Sequence, residues 1–141
     1  MSSNRVEKLK LKYQNLEQAE QKILMFFSYF NSPLSVGVVY KLLELYQIKD
    51  ERRYNLSQKK VKGSIDNLKK LGFLINYFGG EIVLSDEIST FIFEELIKNP
   101  FLKSIQELTK ANKKFMADNR LYLTQLEDFR VAIYTGDFSE F

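Results

Sequence analysis

Apolar side chains recur at alternating spacings of three and four along the start of the chain. Val6, Leu9, Tyr13 and Leu16 lead into Ile23, Phe27 and Phe30, with polar Glu20 filling the gap. That is the period of one helix face, so residues 4–30 are expected to be helical. Residues 1–16 are polar outside the stripe, which suits a helical arm that either packs on the domain or serves a dimer. Asn31-Ser32-Pro33 ends the helix, because proline cannot continue it. Ser35 is a suitable N-cap for a second helix, about 36–47, carrying Val36, Val39, Leu42, Leu43 and Tyr46. A charged loop follows over 48–56. Ser57 then caps a third helix, about 58–71, with Val61, Ile65, Leu68 and Leu71 as its apolar face and Gly72 at the C-terminal cap.

The period then changes. Leu74 to Phe78 and Glu81 to Leu84 flank Gly79-Gly80, a pair suited to a two-residue primed turn. The register this implies pairs Tyr77 with Ile82 and Ile75 with Leu84, placing four apolar side chains on one face. Helical spacing resumes at Ser85 or Asp86 and runs to about Lys98, with Ile88, Phe91, Ile92 and Leu96 along it. Asn99-Pro100 opens a further helix, whose stripe is Leu102, Ile105 and Leu108 and which is expected to reach about Met116. Asp118 is expected to cap a last helix to about Thr135, ended by Gly136, before an acidic and aromatic tail. The expected fold class is mainly α with one small β-hairpin, divided into an arm (1–16), a central domain (17–98) and a helical extension (99–141).

Composition narrows the chemistry. The chain of 141 residues has no His and no Cys, so thiolate nucleophiles, disulfides, iron–sulfur clusters and His-ligated metals are excluded. Carboxylate or Mg²⁺ chemistry remains open in principle. The acidic pairs Asp50-Glu51, Asp86-Glu87, Glu94-Glu95 and Glu127-Asp128 are adjacent in sequence, however, and adjacent residues diverge on a helix. They read as solvated surface, and a non-enzymatic protein without cofactor is expected. The first residues, Met1 to Lys8, hold no signal-peptide core, and Asn31-Ser32-Pro33 interrupts the uncharged stretch Ile23–Tyr40 that would otherwise raise a membrane span. A cytoplasmic protein is expected. The net charge of +3 hides a gradient: residues 41–75 carry nine basic and four acidic side chains, whereas 76–141 carry seven basic and eleven acidic.

The order helix, helix, helix, hairpin, helix over about 17–98 resembles a winged helix-turn-helix domain. Leu68-Lys69-Lys70-Leu71-Gly72-Phe73-Leu74 looks like that family's junction between recognition helix and wing. Ile82-Val83-Leu84-Ser85-Asp86-Glu87 is similar to its second wing strand leading into the next helix. The resemblance implies that helix 58–71 lies in the DNA major groove. With the buried face centred on Val61, Ile65 and Leu68, the outward face holds Lys59, Lys60, Gly63, Asp66, Asn67 and Lys70, with Lys62 on the flank. Lysines there can neutralise phosphates, and Asn67 can pair with adenine. Arg52 and Arg53 lie in the preceding loop. Such a face is also what an ordinary solvated helix presents, and Gly63 suits tight helix packing, a tolerated cost in helix stability, or close approach of a groove or partner.

Two features depart from the family pattern. The 48–56 segment is longer than the usual tight turn, and the wing tip Tyr77-Phe78-Gly79-Gly80-Glu81 has no Lys or Arg. The apolar positions after residue 86 exceed what one such core buries, so they either wrap the domain or form an oligomer interface. Two function classes follow. One is a DNA-binding regulator acting as a homodimer on double-stranded DNA. The other is an interaction subunit of a larger ATPase or chromosome-handling complex, with exposed Phe78 docking on protein.

Overall fold

The computed structural model describes residues 2–121 together with 132, 133 and 136. Its centre is α2 (Gln18–Phe30), in which every residue from Ile23 to Phe30 is buried. A helix that is apolar all round has to be surrounded. Around it lie α1 (Ser2–Gln14), α3 (Val36–Leu45), α4 (Gln58–Leu71) and α5 (Asp86–Lys98), followed by α6 (Phe101–Ala111) and α7 (Lys113–Asp118). The mainly α architecture with a small antiparallel sheet is the one the apolar periodicity predicts. Among the described residues no helix is long and apolar enough to cross a membrane.

The expected continuous helix over 4–30 is two helices. Gln21 donates from its side-chain amide to the Tyr13 carbonyl at 2.8 Å, and Asn15 does the same to Leu11 at 3.2 Å. These side chains satisfy carbonyls that the break leaves open. Glu17 is extended and restarts the helix. The break lets α1 pack across α5: Leu9 and Tyr13 are buried, and the Tyr13 ring meets Phe91 edge-on at 5.3 Å. Arg5 pairs with Glu87 at 3.1 Å on the same side. The arm is therefore packed on its own domain.

The middle of the chain follows its caps. The Asn31 N–H donates to the Phe27 carbonyl in a left-handed cap that ends α2. Ser35 Oγ accepts from Val38 N–H at the start of α3, and Ser57 Oγ from Lys60 N–H at the start of α4. Gly72 closes α4 in the left-handed region.

The sheet differs from the expected two-stranded hairpin. It has three strands in the order β1 (Leu34–Ser35), β3 (Glu81–Leu84), β2 (Leu74–Asn76). Two residues after Pro33 are too few to leave a periodic signal, yet Leu34 pairs with Ile82. The hairpin register is also one residue away from the expected one: Leu74 faces Leu84 and Asn76 faces Ile82. Gly79 and Gly80 both have positive φ, as a primed turn requires, and Glu81 N–H donates to the Phe78 carbonyl. The Glu81 carbonyl, however, accepts from Tyr77 N–H at 2.8 Å. Tyr77 and Phe78 thus both face Glu81, a bulge that shifts the register and swaps the faces. Leu74 and Ile82 go to the core, while Ile75 and Tyr77 point outward.

The helix expected to run to Met116 breaks at Asn112, whose side-chain amide donates to the Leu108 carbonyl at 2.7 Å. Its entry is as expected: Asn99 Oδ1 accepts from Phe101 N–H at 2.9 Å, with Pro100 in helical geometry. Asp118 is instead the last residue of α7. The last helix expected to Thr135 lies mostly outside the described residues; within it, Ala132 and Ile133 are helical and Gly136 N–H donates to Ala132 O.

Helix α6 belongs to the same core. Phe26 of α2 stacks on Tyr46 at 5.1 Å, and Phe101 meets Phe26 edge-on at 5.6 Å. The Tyr46 hydroxyl bonds Thr109 Oγ1 at 2.9 Å. Burial pushes the Tyr46 phenol up to about 12, the hydrogen bond to Thr109 acting against it. Over 99–121 the extension therefore wraps the domain, with Leu102, Ile105, Met116 and Leu121 buried. Tyr46→Phe strands the buried Thr109 hydroxyl and is expected to lower unfolding free energy by about 1–2 kcal/mol in urea denaturation.

Candidate nucleic-acid interface

The sequence of α4 makes it strongly two-sided. Val61, Ile65 and Leu68 are buried against the domain, and the helix packs on α3, β2 and α2. Lys59, Lys60, Lys62, Gly63, Asp66, Asn67 and Lys70 are all exposed. Arg52 and Arg53 are exposed in the loop before α4. The face read from periodicity is thus the face that the tertiary structure leaves open.

Its lysines are not equivalent. Lys59 and Lys70 form no ion pair with any described residue. Lys60 is held by Asp50 Oδ2 at 3.0 Å, and Lys62 by Asp66 Oδ2 at 3.0 Å. Lys69 also reaches Asp66, at 3.9 Å. Asn67 donates from Nδ2 to Glu20 Oε2 at 3.0 Å, linking α4 to the first turn of α2.

The loop before α4 is ordered by Asp50. Its Oδ1 accepts from the N–H groups of Arg52 at 2.8 Å and Tyr54 at 2.9 Å. The Tyr54 and Lys60 bonds, then that of Arg52, hold the Asp50 carboxyl below the usual range. Expected as solvated surface, Asp50 is instead the knot of the loop. An Asp placed just before a tight turn is a local signal for this role. Arg53, with φ 67, takes the left-handed conformation in that turn.

An acidic groove of about 470 Å³ runs beside α4, and no sequence feature indicated it. Glu17, Glu20, Asp50 and Glu51 line it together with Arg52, Lys60 and Gly63. Desolvation, followed by repulsion from Glu51, Glu20 and Asp50, pushes the Glu17 carboxyl above its ordinary range. The groove brings Arg52, Lys60 and Gly63 together; Arg53 lines a neighbouring depression with Glu17 and Glu51. Lys59, Lys62 and Lys70 line neither. Among the described residues no set of three acidic side chains converges to hold a metal ion.

The hairpin is of another kind. Phe78 is 78% exposed at its tip, with Ile75 and Tyr77 also exposed. No Lys or Arg occurs between Lys70 and Lys98. No known protein family, curated protein or solved structure matches this chain.

Among the described residues nothing packs against Gly63: a Cβ built there meets none of their atoms within 4 Å. This removes the tight-packing explanation. Gly63→Ala is expected to raise unfolding free energy by about 0.5–1 kcal/mol in chemical denaturation, since Gly is the costlier residue in a helix interior.

Proposed function

We propose that this is a winged-helix protein that binds double-stranded DNA through α4 in the major groove, without enzymatic activity. The observation that carries this reading is the outward face of α4. It bears Lys59, Gly63, Asn67 and Lys70, and no described residue covers it. The two unpaired lysines are available to phosphates at once. Lys60 and Lys62 exchange a carboxylate for a phosphate, and Arg52 and Arg53 extend the basic edge. Open space at Gly63 admits a groove wall close to the helix backbone. Three helices followed by a sheet-forming hairpin support the family resemblance. A homodimer regulator is the corresponding assembly, with two α4 copies about 34 Å apart to meet successive grooves.

Fluorescence anisotropy with duplex DNA across a salt series tests it. A dimer neutralising six or more phosphates gives a log–log slope of about −5 or steeper, and a monomer using four lysines about −3.5. Changing Lys59, Lys60 and Lys62 together to Glu is expected to flatten the slope. Binding that ignores salt, or an unchanged slope in the triple variant, rules the reading out.

One observation favours a second reading, an interaction subunit of a larger ATPase or chromosome-handling complex. The hairpin carries no Lys or Arg where a phosphate-binding wing carries bases, its one charge being Glu81, and Ile75, Tyr77 and Phe78 are exposed together. On this reading a stoichiometric protein partner co-purifies with the wild type and is lost on Phe78→Ser, while the salt slope on DNA is unaffected.

A further inference from the structure

Glu20 is a largely buried carboxylate that faces the recognition helix of the DNA-binding reading. It is only 8% exposed in the first turn of α2, and no Lys or Arg of the described residues pairs with it. It lines the groove with Arg52 and Lys60, and the first turn of a helix suits a negative charge. Across helices its Oε2 accepts a hydrogen bond from the Asn67 amide, 3.0 Å away.

We propose that Glu20 is a positioning residue that orients Asn67 to read adenine in the major groove. This rests on the DNA-binding reading above. An ionised carboxylate only accepts hydrogen bonds, so it dictates which end of the amide faces it. The Asn67 nitrogen is turned to Glu20 and spends one N–H there. The second N–H and Oδ1 remain, a donor and an acceptor in fixed order on an exposed helix face. Adenine offers the matching pair, the N7 acceptor and the N6 amino donor, whereas guanine presents two acceptors. A free amide matches adenine in only one of its two orientations and so binds that base less strongly. Gly63 lies one helical turn before Asn67, and the space it leaves open admits a base edge beside the amide. The support is rigid, because Glu20 stands on the helix at the centre of the core.

The experiment is selection from a randomised duplex library, followed by affinity for each base at the selected position. Wild type, Glu20→Gln, Glu20→Met, Asn67→Ala and the Glu20→Gln/Asn67→Ala pair are compared. Circular dichroism and melting establish that each is folded. Glu20→Met removes the buried charge while keeping the bulk, so a folded variant is in hand even if Glu20→Gln is unstable. The wild type is expected to prefer adenine over guanine at one position by at least about tenfold. Either Glu20 variant is expected to reduce this to threefold or less, at that position only, with the salt slope unchanged. The double variant is expected to match Asn67→Ala alone, because Glu20 acts through Asn67. A purely structural Glu20 would leave the base preference where it was. Retained adenine preference in folded Glu20 variants, or effects of Glu20 and Asn67 that add, overturns the inference and leaves DNA binding standing. Absence of salt-dependent binding by the wild type overturns both.

Discussion

Everything in this fold is arranged around the burial of α2. From Ile23 to Phe30 no residue of that helix reaches solvent, so each side of it must be covered by another element. Helix α5 covers one side and in turn carries α1 through Tyr13 and Phe91. The three-stranded sheet closes over another, with Leu34, Leu74 and Ile82 turned inward. The Phe26–Tyr46–Phe101 cluster ties α6 to the same centre. Helix α4 completes the surround with a narrow apolar strip, Val61, Ile65 and Leu68. A strip that narrow leaves most of α4 outside.

The character of that outer surface is set by pairing more than by count. Nine basic residues over 41–75 suggest a uniformly positive segment. In space, Asp50 and Asp66 each hold a lysine, and the start of α2 contributes Glu17 and Glu20. What faces solvent is a mixture of free lysines at Lys59 and Lys70, tethered lysines at Lys60 and Lys62, and an acidic groove at one edge. A surface of this kind attracts a polyanion less strongly than its sequence charge implies, and constrains where on the surface it can lie.

The helices with clear caps were legible without a structure. Ser35, Ser57, Gly72 and Asn99 act within a few residues of themselves, so their hydrogen bonds depend little on the rest of the chain. The breaks at 15–17 and at Asn112 were not legible. In both places a side-chain amide takes over a helix carbonyl, and Asn and Gln in a polar stretch give no sign of it beforehand. The hairpin shows the same division. Its turn was read from Gly79-Gly80, but a bulge of one residue moved the register and put Ile75 and Tyr77 outside. The partner strand at Leu34 was too short to leave a period.

By itself the sequence determined the helical class, the capped starts of α3, α4 and α6, the buried strip of α4 and hence the exposure of Lys59, Lys60, Lys62, Gly63, Asn67 and Lys70. All of these follow from interactions a few residues apart or from the period of one helix. The tertiary structure alone decided what stands beside that face. Glu20 lies 47 positions from Asn67 and still meets it at 3.0 Å, and Asp50 is tied to Lys60 across a folded loop. Contacts between distant segments depend on how whole elements pack, and no local pattern encodes that.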